Sequence, residues 1–126
     1  MCGAARYAFT GEPEIVLNCH CIDCQKATGG QFATIIALRA EHFTSTGKLT
    51  FYDWRGSSGT LLRRGFCPIC GTTVFGYPPN PDVRNIWAGT LDDGDWVVPT
   101  LDHWLKSRKP WSVPLDTTEK CLDAFE

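Results

Sequence analysis

The chain has 126 residues with 43% hydrophobic and 21% charged content, the profile of a single folded domain spanning residues 1–126 and not of a disordered chain. A formal net charge of −2 excludes a broad electrostatic pull toward nucleic acid or anionic lipid. The longest mostly apolar run, Phe32 to Leu38, is far too short to cross a bilayer, and the N-terminal Met-Cys-Gly-Ala-Ala-Arg has no apolar signal-peptide core.

In chain order, the β-branched and aromatic runs predict strands at Ala5–Phe9, Ile15–Asn18, Phe32–Leu38, Leu49–Trp54, Leu61–Phe66, Thr72–Tyr77 and Asn85–Ala88. Turn residues such as Gly11-Glu12-Pro13 and the 56–59 glycine-serine stretch separate them. One short helix is predicted at Asp23–Thr28, stopped by Gly29-Gly30. A second helical turn is expected near Leu91–Asp95. The fold class that follows is mostly β, built of antiparallel strands with one or two short helices.

These features predict a cytoplasmic protein, a compartment in which thiols stay reduced. Seven cysteines there, most of them tightly spaced, argue for metal and against disulfides. Cys19-His20-Cys21-Ile22-Asp23-Cys24 is a C-x-C-x2-C cluster, and Cys67-Pro68-Ile69-Cys70-Gly71 is a C-x2-C knuckle. Two thiolates two residues apart can bend onto one ion at about 2.3 Å each. Gly71 provides the backbone freedom for that bend and Pro68 stiffens it. A thioredoxin-like C-x2-C would open a helix, whereas Cys67 follows one predicted strand and Cys70 leads into the next.

Spacing leaves the partition open. Cys21, Cys24, Cys67 and Cys70 can form one four-thiolate ribbon site. Alternatively, Cys19, Cys21 and Cys24 hold one ion with a vacant fourth position, while Cys2, Cys67 and Cys70 make a structural site. An open fourth position is what separates a catalytic from a structural zinc.

Several segments together resemble the glutathione-dependent formaldehyde-activating enzyme family, whose domain is shared with centromere protein V. They are 2–7 (Cys-Gly-Ala-Ala-Arg-Tyr), 19–29 (Cys-His-Cys-Ile-Asp-Cys-Gln-Lys-Ala-Thr-Gly), 65–72 (Gly-Phe-Cys-Pro-Ile-Cys-Gly-Thr), 88–93 and 103–111. The resemblance implies a β-tent and the two-site partition, with one or two Zn2+ per chain. It implies a carbon–sulfur lyase of S-hydroxymethylglutathione synthase type, with glutathione as co-substrate. The family pattern carries C-x-C before the Gly-Ala segment where this sequence has only Cys2. The structural site is therefore expected to have three thiolates, completed by water, the N-terminal amine or a nearby side chain.

Lys26, Arg64 and Arg108 are candidate contacts for glutathione's carboxylates, with Arg63 and Lys109 as further cations. His20, flanked by ligands on an extended segment, should point away from them. His103 reads as a packed or hydrogen-bonded histidine, His42 as surface, and Cys121 as a lone thiol. Trp54, Trp87, Trp104 and Trp111 are candidate pocket walls. The competing function is a non-catalytic zinc-stabilised β domain that binds a protein partner, since fold does not fix function.

Overall fold

The computed structural model describes residues 1–56 and 58–123. Strands run β1 Arg6–Phe9, β2 Ile15–Cys19, β3 Ala33–Arg39, β4 Phe43–Thr46, β5 Thr50–Arg55, β6 Leu61–Phe66, β7 Thr73–Tyr77, β8 Val83–Trp87, β9 Leu101–His103 and β10 Glu119–Lys120, with one α-helix, α1, at Ile22–Thr28. Eight strands form one sheet in the order β10-β9-β2-β3-β8-β7-β6-β5, and β1 pairs with β4 in a separate ribbon. All pairings are antiparallel except β2–β9 and β9–β10, which are parallel.

Successive residues on a strand point to opposite faces, and the core divides accordingly. Val16, Ile36, Leu38, Phe75 and Ile86 pack on one face, beneath Tyr7 and Phe9 of β1 and Phe43 of β4, and Val74 joins them where the β6–β7 pairing is bulged. Leu17, Cys19, Ala33, Ile35 and Leu101 pack on the other, against Cys21, Cys24, Trp87 and Trp104. Gly76 lets the sheet close around Trp87. A Cβ at Gly76 would sit 3.2 Å from the indole and 3.3 Å from the Arg63 carbonyl oxygen.

The predicted strands match β1, β2, β3, β5, β6, β7 and β8 to within a few residues. Three strands escaped prediction: β4, β9 and β10. The helical turn expected at Leu91–Asp95 is not there. The chain instead makes a 3-10 turn at Ala88–Thr90, closed by the Leu91 amide donating to the Ala88 carbonyl. Asp93, Asp95 and Trp96 make local loop bonds beyond it, with the Asp93 carboxylate and carbonyl as acceptors. Asp side chains compete with the helix ladder in this way. Among the described residues no helix is long and apolar enough to cross a membrane.

Candidate metal centres

The strand β2 ends at Cys19, and the chain turns directly into α1. Cys21 caps that helix: its sulfur accepts the Cys24 N–H at 3.3 Å. Gly29, at φ 70°, ends the helix in the left-handed conformation that glycine tolerates best. This short strand–turn–helix brings the sulfurs of Cys19, Cys21 and Cys24 to within 4.8 Å of one another. Cys19 is buried, and Cys21 and Cys24 are half-buried.

The electrostatics of the crowded thiols are uneven. Cys21 is held down at about 3, because the Cys19 and Cys24 thiols donate to its sulfur, with help from backbone N–H groups. Cys19 is pushed up to about 12, chiefly by donating to Cys21. Cys24 is also raised, through its bonds to Cys19 and Cys21 and by burial. Without a cation the triad therefore carries one negative charge. A dication is what lets all three sulfurs ionise together.

The second triad comes from distant parts of the chain. Cys67 follows β6, and the 67–72 turn is closed by the Gly71 amide on the Cys67 carbonyl at 2.9 Å and the Cys67 amide on the Thr72 carbonyl at 2.9 Å. Gly71 has φ +73°. The segment leading into β1 brings Cys2 to this turn, with Cys2 Sγ 3.6 Å from Cys67 Sγ. Four sulfurs bound tetrahedrally at about 2.3 Å lie about 3.8 Å apart, so this spacing suits a shared ion and is far too long for a disulfide. All three sulfurs, of Cys2, Cys67 and Cys70, lie within 4.8 Å of one another. Cys70 is lowered to about 5, first by the Thr72 hydroxyl, 3.3 Å away, and then by backbone N–H groups of Thr72 and Cys2.

The donor chemistry fits zinc at both places: clustered, reduced, convergent thiols. The structure separates Cys19, Cys21 and Cys24 from Cys67 and Cys70. The single-ribbon arrangement, with Cys21 and Cys24 joined to Cys67 and Cys70, is not the one adopted.

Two hollows lie nearby, and cysteines line only the first. One, of about 930 Å³, touches Cys2, Cys67 and Cys70 and is walled by Arg6, Asp92 and Trp96 among others. The second, of about 410 Å³, runs between Ala27 and Thr28 of α1, Phe32, Trp87 and the Gly71–Thr73 turn. Ala27 and Thr28 lie one helical turn beyond Cys24, on its face of the helix. Thr72, Gly89 and Thr90 line both hollows.

The other predicted residues fall as follows. His20 does point away from the triad. It is fully buried, with Nε2 3.1 Å from Asp102 Oδ1 and its ring 5.0 Å from Phe32. Lys26 is exposed on α1. Arg64 stacks on Tyr52 and Trp54, and the Trp54 indole N–H donates to Asp23 of α1 at 3.1 Å, so this cation sits on the α1 side of the sheet. Arg63 is instead paired with Asp53, at 2.6 and 2.7 Å. Arg108 donates to the Ser112 carbonyl at 2.5 Å, which ties it to its own loop. Lys109 is half-buried, and its carbonyl accepts from the Ser112 amide. His103 is buried at the end of β9, its pKa lowered by burial and partly restored by the nearby Cys21 charge. His42 is exposed. Cys121 donates to the Asp123 carbonyl. Of the four tryptophans expected to wall a pocket, Trp87 lines the smaller hollow and Trp111 is exposed.

Sequence reasoning missed the residue that holds the first triad's strand in place. Asp102 is fully buried and accepts from Asn18 (3.1 Å), His20 (3.1 Å), Thr118 (2.5 Å) and Lys120 (2.9 Å). Burial pushes its carboxyl up, but those donors outweigh it and hold it at about 2. Gln25 adds a second tie, donating to the His20 carbonyl at 2.6 Å and the Ser107 carbonyl at 3.0 Å. Arg6, paired with Asp92 on the wall of the larger hollow, was also missed.

A mostly β domain with two separate cysteine triads, each suited to a metal ion, is the class defined by this fold and these sites. The family model for the glutathione-dependent formaldehyde-activating enzyme matches residues 1–107, and the chain belongs to that family. A crystal structure of a Rhodobacter sphaeroides protein, solved as a structural-genomics target, has a similar fold. It is 20% identical with a TM-score of 0.56, over 78% of this chain and 86% of that one. No curated protein matches the chain.

Proposed function

We propose that the protein is a zinc-dependent carbon–sulfur lyase that forms and cleaves S-hydroxymethylglutathione or a related thiol adduct at Cys19, Cys21 and Cys24. The observation that carries this reading is the convergence of those three sulfurs, and of no fourth protein ligand among the described residues, at the start of α1. A zinc ion held there would supply Lewis acidity, lowering the pKa of a thiol taken at its free position.

In the synthetic direction a carbon–sulfur bond forms between the glutathione sulfur and the formaldehyde carbon. The thiol proton leaves and the carbonyl oxygen gains one; cleavage reverses both. The chain's own part is placement. The Asp102 and Gln25 ties fix the Cys19–Cys21 turn, and the hollow beside Ala27, Thr28 and Trp87 offers a bed for the tripeptide. Lys26 of α1 and Arg64 are the cations we assign to its carboxylates. Arg108 is the weakest of the three candidates, because Ser112 already engages it. The chemistry requires reduced thiols, which accords with a cytoplasmic protein.

Exchange NMR with 13C-formaldehyde and glutathione tests the reading. Zinc-loaded protein should speed interconversion of formaldehyde and its adduct, and Cys21→Ser should abolish the effect. No acceleration by the wild type, or equal acceleration by the variant, refutes it.

A further inference from the structure

We propose that β5 is a self-association edge, through which two copies of this chain join antiparallel and fuse their eight-stranded sheets into one.

The sheet has unequal edges. At one end stands β10, two residues long and pinned through Lys120 to Asp102. At the other stands β5, six residues long and paired with β6 in unbroken register from Thr50 to Arg55. Short length, proline, lysine and bulges are the usual protections of an exposed edge, and β5 has none of them. The 56–60 turn fixes which of its groups are open. Gly56 donates to the Thr60 carbonyl at 3.0 Å, in the register of the two strands. Bonding alternates along an antiparallel pair, so Trp54, Tyr52 and Thr50 turn their amides and carbonyls toward β6. Those of Phe51, Asp53 and Arg55 face outward, and among the described residues no strand lies beyond them.

The side chains select a second copy as the occupant, and one register. About a two-fold axis at Trp54, Asp53 lies opposite Arg55 of the second copy, and Arg55 opposite its Asp53. Opposite charges directly across a ladder attract, and residues paired in this way exchange both backbone hydrogen bonds. Asp53 then lies between Arg55 of the second copy and its own Arg63, which it already engages at 2.6 and 2.7 Å. Arg55 is exposed and bonded to the Gly59 carbonyl at 3.0 Å. On the other face Trp54 meets Trp54, and Tyr52 covers Gly56, which has no side chain of its own. These rings are set beforehand. Tyr52 and Trp54 stack at 15°, Arg64 lies over both, and Asp23 accepts the Trp54 indole N–H. An axis at Asp53 or Arg55 would oppose like charges, and one at Tyr52 would set Asp53 against Phe51. The edge is therefore complementary to itself in one register, a property that a partner of unrelated sequence would not require.

This inference is independent of the lyase reading. Analytical ultracentrifugation of the zinc-loaded protein in reducing buffer tests it, with circular dichroism to check the fold of each variant. The wild type should sediment as a concentration-dependent dimer. Arg55→Asp and Asp53→Arg each bring like charges together at both pairs, and each should weaken self-association about tenfold or more. Mixing the two variants in equal amounts restores opposite charges at both pairs, so the mixture should dimerise as the wild type does. The double variant should do the same. A wild type that stays monomeric at about 1 mM, single variants that dimerise like the wild type, or a mixture that stays monomeric overturns the proposal. None of these outcomes touches the carbon–sulfur chemistry, which the formaldehyde exchange experiment tests separately.

Discussion

Replacing Asp102 by asparagine should be among the most damaging single-atom changes available in this chain. The carboxylate is fully buried and takes four side-chain donors, from Asn18, His20, Thr118 and Lys120. Asparagine keeps one acceptor oxygen but turns an amide N–H2 toward Thr118 and Lys120. Lys120 is half-exposed and can turn to water, so the loss is that of buried donors left facing an amide, about 2–4 kcal/mol in all, a large part of the 5–15 kcal/mol that holds a typical domain together.

The same group sets a pH signature. Its folded pKa lies at about 2, below the ordinary carboxylate value of 3.8, so the carboxylate stabilises the fold above pH 4. That contribution fades as pH falls through 4 toward 2. The shift amounts to about 2 kcal/mol at 1.36 kcal/mol per unit. Urea denaturation of both proteins from pH 7 to pH 2 gives the test. The gap between wild type and Asp102→Asn should be about 2–4 kcal/mol at neutral pH and shrink by about 2 kcal/mol toward pH 2. Taking the difference cancels the acid release of metal common to both. A gap under 1 kcal/mol, or one that does not narrow with acid, would show that Asp102 is not the hub described.

Gly47 has φ +85°, and a Cβ there would fall 2.1 Å from the Ala4 carbonyl oxygen. Gly47→Ala should therefore displace the 3–5 segment, pull Cys2 from Cys67 and Cys70, and weaken metal at that triad while sparing the other, as site-resolved cadmium NMR would show. Gly76→Ala forces a methyl against Trp87 and the Arg63 carbonyl; a loss of about 1–3 kcal/mol in urea is expected, with a change in tryptophan emission. Stripping metal with a chelator should lower the melting temperature. At a free concentration 1,000 times the dissociation constant, one bound ion contributes about 4 kcal/mol, or roughly 15 °C in a domain of this size. An unchanged melting curve would mean that the triads hold no stabilising metal.

How much of this was legible in the sequence depends on range. The Cys67–Cys70 knuckle was readable because it is local: proline, glycine and two cysteines fix their own turn. The α1 segment was readable for the same reason, with Gly29 as its stop. Strands β9 and β10 were not, because three and two residues carry no periodicity. The pairing of β9 with β2 spans more than 80 residues of chain and depends on Asp102 meeting Asn18 and His20. The Leu91–Asp95 helix failed because its aspartates and the Trp96 indole found loop partners. Arg6 looked like any surface cation until the fold set it against Asp92, 86 positions away.

The two triads differ in what surrounds them, and that difference bears on their roles. Around Cys19, Cys21 and Cys24 the ties are short, buried and rigid. His20 and Gln25 are fixed through Asp102 and the Ser107 carbonyl, so the sulfurs are held before any ligand arrives. Such preorganisation lowers the cost of reaching a reactive geometry. Around Cys2 the ties are few, and the sulfur that completes the triad is the exposed one. The loosely tied triad is the one whose metal must order the chain as it binds, so metal loss should loosen the 2–5 segment and leave β2 and α1 in place.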